Sequence, residues 1–104
     1  MDKAWKRIER GVAKFLGGVR VPVSGRQRGD NPDVRHPVYS IEVKHTEKLP
    51  DWMFDAMQQA EASKRNEQVP LVVLHQKGMS ISASFAVVRL ADLVELHKSQ
   101  AEDH

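Results

Sequence analysis

Residues 31–45 read NPDVRHPVYSIEVKH, and their second half alternates as an extended strand requires. From 38 to 44, Tyr39, Ile41 and Val43 fall on one side and Ser40, Glu42 and Lys44 on the other. The tetrapeptide His36-Pro37-Val38-Tyr39 can reverse the chain, with Pro37 suited to the second position of a type I turn. A tight reversal without a bulge brings Asp33 opposite Glu42 and Arg35 opposite Ser40. Directly opposed residues share a face with side chains about 5 Å apart. Asp33 and Glu42 are then neighbouring carboxylates, with Lys44 one pleat further on.

Two anions that close repel unless a proton or a metal lies between them. A hard divalent cation answers the repulsion with oxygen ligands and leaves water positions open, which points to Mg²⁺, with Mn²⁺ as a substitute. Lys44 is near enough to help orient or deprotonate a water, or to neutralise charge on an attacked phosphate. The same residues also read as an ordinary surface strand with a cross-strand Glu and Lys. What favours a site is that the Asp register coincides with the Glu and Lys face.

A chain of 104 residues is long enough for one domain with a single core. It has no cysteine, which excludes disulfides and thiolate zinc sites. The start, MDKAWKRIER, lacks the apolar core of a signal peptide, and the longest apolar run, residues 69–74, is far short of a membrane span. A soluble cytoplasmic protein with no membrane partner is expected. The formal charge is only +2, but the bases crowd the first half of the chain. His36, His45, His75, His97 and His104 show no ligand spacing, and no nucleophile elbow, Walker motif or dinucleotide glycine pattern is present.

Residues 3–16 carry Trp5, Ile8, Val12, Phe15 and Leu16 at helical spacing, and Gly17-Gly18 ends the helix. Lys3, Arg7, Arg10 and Lys14 fall on the opposite face. Glu9 lies roughly 70° from the centre of the apolar stripe, at its edge, where a carboxylate can reach into a cleft beside the core. Residues 19–21 read as a short strand that Pro22 closes. Residues 24–31, with two glycines, Arg26 and Arg28, form a basic loop that suits phosphate contacts or simple solvation. Asp30 in that loop is a second candidate acid, set back by its distance from the hairpin register.

A second helix follows from residue 50 or 51 to about 65, with Trp52, Met53, Ala56, Met57 and Ala60 as its stripe and Gln59 at the margin. Trp52, Met53 and Phe54 cannot all face one core, so part of that surface serves a partner interface or is covered by a loop. The aliphatic run at 69–75 is expected as a strand buried on both faces, joined to the Glu42 strand by a right-handed parallel crossover. Residues 81–89 give a last strand and 90–97 a short helix, with a polar, fraying tail from about 98.

Pro32-Asp33, a gap, then Glu42-Val43-Lys44 resembles the PD-(D/E)xK nuclease superfamily. The surrounding layout is similar to the Holliday junction resolvases of archaea and of some bacteriophages, loosely from the first helix to about Leu96. It includes a helix-one glutamate and a Ser-Gly loop before the Asp. The resemblance implies a single restriction-endonuclease-like α/β domain, in which a mixed five-stranded sheet is flanked by helices in the order α-β-β-β-α-β-β-α. It implies a Mg²⁺-dependent endonuclease in a bacterial, archaeal or phage-infected cell, acting as a homodimer on DNA, four-way junctions above all. Asp33, Glu42 and the Val43 carbonyl would hold the ion, Glu9 would bind a second ion or a water, and Lys44 would assist the attacking water. Arg7, Arg10, Lys14, Ser24, Arg26, Arg28 and Arg35 would contact the DNA backbone, and Gln59 would support the site from the second helix. A nicking or repair endonuclease on other DNA, a nucleic-acid-binding module without catalysis and a purely structural protein remain the alternatives.

Overall fold

The first helix, α1 (Ala4–Leu16), stops where left-handed backbone becomes available at Gly17, whose φ is +75°. The Gly18 N–H donates to the Ala13 carbonyl at 2.8 Å and the Gly17 N–H to that of Lys14 at 3.4 Å, the paired closure of a Schellman end. The computed structural model describes residues 4–22 and 31–102. The chain divides into two compact units, Met1–Glu47 and Lys48–His104.

In the first unit α1 packs against a three-stranded antiparallel sheet ordered β1 (Val19–Arg20), β2 (Val34–Arg35), β3 (Ser40–Ile41). Arg20, Val34 and Ile41 stand in register across the strands, as do Val19, Arg35 and Ser40. The first set is buried or half-buried and the second exposed, so the sheet has a covered face and an open one. Val34, on the central strand, is fully enclosed. A Cβ added at Gly18 would lie 2.5 Å from the Arg35 carbonyl oxygen and 2.8 Å from Val34 Cγ1, so only glycine lets the helix exit pass this close to β2.

The alternation expected from 38 to 44 yields a paired strand only at Ser40–Ile41. The register is nevertheless the counted one, Arg35 against Ser40. The reversal is organised by a side chain: His36 Nδ1 accepts the N–H of Val38 at 3.1 Å and that of Tyr39 at 3.3 Å. The imidazole does what an Asn or Asp side chain does in an Asx turn, and it stacks on Tyr39 with ring centroids 5.3 Å apart.

In the second unit α2 (Asp51–Ser63) follows extended Pro50, and Lys48 pairs with Asp51 at 3.5 Å. β4 (Val72–Leu74) and β5 (Phe85–Val87) form an antiparallel pair in the register Val72↔Val87, Val73↔Ala86, Leu74↔Phe85. Gly78, at φ +92°, turns the chain between them. α3 (Leu90–Glu102) closes the unit, and Arg89 reaches Glu61 on α2 at 2.9 Å.

Among the described residues the expected element order is present, but the expected five-stranded sheet is not: the strands make one sheet of three and one of two, in a mixed α/β chain. A parallel strand inside a larger sheet must be covered on both faces. Val73 in β4 is 58 % exposed, and the partner of β4 is antiparallel β5, so no parallel crossover from β3 is built. Residues 81–83, expected as strand, form a 3₁₀ turn, in which the Ala83 N–H donates to the Ser80 carbonyl and the Ser84 N–H to the Ile81 carbonyl, each at 3.1 Å. The tail expected to fray from about 98 continues α3 to Glu102, since Gln100, Ala101 and Glu102 are good helix formers.

Candidate functional site

Asp33 is 8 % exposed, an unusual position for a carboxylate. Its main chain extends the ladder on both sides: the Val21 N–H donates to its carbonyl at 2.9 Å, and its own N–H donates to the carbonyl of Ile41 at 2.9 Å. Its Oδ2 accepts the Val43 N–H at 2.7 Å. Asp33 therefore holds the residues on both sides of Glu42, one through its backbone and one through its carboxylate. The segment carrying Glu42, Val43 and Lys44 is fixed to Asp33 beyond the end of β3. Glu42 and Lys44 are exposed and Val43 is half-buried.

Glu9 is only 4 % exposed. The covered arc of α1 runs through buried Glu9 and Ala13 and half-buried Trp5, Lys6, Val12 and Leu16, which centres it on Glu9, while Ile8 and Phe15 lie in the open. The helix is thus turned roughly 70° from the orientation its apolar stripe predicts. What holds a carboxylate there is Arg20 on β1, whose Nε donates to Glu9 Oε1 at 2.8 Å. The Arg20 guanidinium lies 5.8 Å from the centre of the Trp5 ring, and Lys6 Nζ lies 5.5 Å from it. Nη2 of Arg20 is buried and has no acceptor among the described residues.

Arg20 and His36 are the residues that sequence reasoning passed over. Val19-Arg20-Val21 looks like a strand with its arginine in solvent. The signal that could have found the pair is Glu9 itself: a glutamate at the margin of an apolar stripe needs a cation close by, and Arg20 is the one base in the short strand that follows.

Arg7, Arg10 and Lys14 are exposed on α1, and Arg35 is exposed on β2, where its Nη2 donates to Asn31 Oδ1 at 3.2 Å. Ser24, Arg26, Arg28, Asp30 and Lys3 lie outside the described residues. Gln59 is exposed on α2, in the second unit, and its carbonyl accepts the Ser63 hydroxyl at 3.1 Å.

A hard divalent cation takes oxygen ligands. Asp33, Glu42 and the Val43 carbonyl offer oxygen alone, and a carboxylate oxygen that accepts one N–H keeps further lone pairs. Among the described residues no group of three or more acidic, cysteine or histidine side chains that could hold a metal ion is gathered. No helix among the described residues is long and apolar enough to cross a membrane. Comparisons with protein-family models, with curated proteins and with solved structures found no match.

Proposed function

We propose that this chain is a Mg²⁺-dependent endodeoxyribonuclease, a cytoplasmic homodimer that cuts branched DNA in the manner of a Holliday junction resolvase. The observation that supports the reading is the 2.7 Å bond from the Val43 N–H to Asp33 Oδ2, which ties the acid to the Glu42-Val43-Lys44 segment. Asp33, Glu42 and the carbonyl of Val43 would hold the Mg²⁺, which when bound supplies Lewis-acid stabilisation of charge on the phosphate. Lys44, exposed and next in the chain to Val43, would orient the attacking water and offset negative charge at the phosphorus. Water adds to phosphorus, the bond to the 3′ oxygen breaks, and a 5′ phosphate and a 3′ hydroxyl result.

Arg7, Arg10, Lys14 and Arg35, with Ser24, Arg26 and Arg28, follow the phosphate backbone and give salt-sensitive binding with little sequence preference. One site per chain suits a two-fold dimer that cuts two strands symmetrically.

The test compares cleavage of a four-way junction, a flap and a linear duplex in Mg²⁺. The junction is expected to be cut at least about tenfold faster. Glu42→Ala and Lys44→Ala should each abolish cutting while junction affinity stays within about threefold. Cutting retained by both variants would remove these residues from the reaction. Junction binding that survives EDTA, with no nick ever made in Mg²⁺, would leave a binding module instead. Negligible DNA affinity at moderate salt would end both readings.

A further inference from the structure

We propose that the recess beside the β2–β3 turn holds one unpaired nucleotide of DNA, its base against the ring pair of His36 and Tyr39 and its phosphate on Arg35. The inference rests on the DNA reading above and deepens it, by naming what would tell branched DNA from linear duplex. The recess is lined by residues 32 and 35–40, all in the first unit, and measures about 330 Å³. That is the lower end of the range for small-ligand sites, about 300–1,000 Å³.

The lining matches a nucleotide group by group. The His36 and Tyr39 rings stack with centroids 5.3 Å apart and planes 27° apart, and Pro32, Pro37 and Val38 add apolar wall. Arg35 and Ser40 are partners in register on the exposed face of the sheet, so a guanidinium and a hydroxyl rise side by side. Both suit phosphate oxygens. No carboxylate lines the recess, and the first unit as a whole carries ten lysines and arginines against six acids, so an anion is favoured there. The platform is also set in advance. His36 Nδ1 accepts the N–H groups of Val38 and Tyr39, which holds the imidazole in one orientation and puts the proton of the neutral ring on Nε2. The Asn31 bond to Nη2 orients the Arg35 fork in the same way. Groups already ordered lose little freedom on binding. Stacking on an aromatic ring accepts any base, but in a duplex each base face is covered by its neighbours. The rings therefore select unpaired nucleotides, while Arg35 meets any phosphate.

The probes are a labelled oligothymidine of about sixteen nucleotides and a duplex in which the same strand is paired, each titrated into the full chain and followed by fluorescence anisotropy. Tyr39→Leu should weaken oligothymidine binding at least about fivefold and leave duplex binding within about twofold. Tyr39→Phe, which keeps the ring, should bind both as the native chain does. Arg35→Gln should weaken both probes and lower the salt slope by about one. A direct readout on the native chain needs no variant to fold: oligothymidine carrying 5-iododeoxyuridine, irradiated on the protein, should cross-link to Tyr39 or His36 as mapped by mass spectrometry. Tyr39 is the chain's single tyrosine, so the assignment is unambiguous. Unchanged oligothymidine affinity in Tyr39→Leu, or cross-links confined to other residues, would overturn the inference and leave the DNA reading standing. Binding of neither probe at moderate salt would remove the DNA reading, and this inference with it.

Discussion

The unit Met1–Glu47 and the unit Lys48–His104 build their interiors from different material. The first buries Glu9 and Asp33 beside Ala13, Val21 and Val34. Among the described residues the second buries Met57 and Pro70, and it leaves Trp52, Phe54, Val73, Ile81 and Phe85 in the open. Burying a charge costs several kcal/mol unless a partner meets it, about what a small domain has to spare. Each buried acid of the first unit is accordingly met by a named donor, Arg20 or the Val43 N–H. A region that keeps costly polar groups in fixed geometry is where chemistry is to be sought. The other region reads as scaffold, with apolar side chains left over.

The largest effect should come from breaking the buried pair of the first unit. Glu9→Ala or Arg20→Ala alone strands a buried charge and should cost about 3–5 kcal/mol. The double replacement Glu9→Leu with Arg20→Met removes both charges at similar volume and should recover most of that loss. Urea unfolding of the two single variants and the double gives the coupling directly. Single losses under about 1 kcal/mol would mean the pair is solvated, and the contrast between the units would lose its basis.

For the second unit the matching test removes volume instead of charge. Met57→Ala, at the most enclosed apolar side chain of α2, should cost about 2 kcal/mol, the low end for a methionine because the surrounding core is thin. Hydrogen exchange resolved by residue shows where the loss falls: opening should rise along α2 and leave the Asp33 and Val43 amides as protected as before. Equal loss of protection at Val43 would make the two units one cooperative body.

Elements with a strong local signal were legible in the sequence. The Gly17-Gly18 stop and the period of residues 3–16 gave α1 to within a residue, and the alternation around Pro37 gave the register of Arg35 against Ser40. What stayed hidden depends on partners far along the chain. An apolar stripe predicts its own centre as the buried one, and here an ion pair with Arg20 turns the helix so that Glu9 lies there. Counting residues fixes a hairpin register but not how far pairing runs, so Glu42 and Lys44 fell past β3 and onto backbone held by Asp33. An aliphatic run such as 69–75 looks the same whether one face or both are covered, and β4 has Val73 exposed.

The smallest effects are expected where the second unit shows apolar side chains to solvent. Ile81 is 80 % exposed and Phe85 69 % exposed. Fully burying such a side chain is worth about 1.5–3 kcal/mol, so the covered fifth of Ile81 contributes about 0.3–0.6 kcal/mol. Ile81→Ser should therefore shift stability by about 0.5 kcal/mol or less, and Phe85→Ser by no more than about 1 kcal/mol. Both are measured by the same urea unfolding, repeated over a wide range of protein concentration. A loss above about 1.5 kcal/mol for Ile81→Ser would mean that this side chain is covered in solution, and a dependence of that loss on concentration would identify the cover as another copy of the chain. The apolar surplus of the second unit would then be an interface in use, and the contrast would lie between a region built to hold charge and one built to be joined.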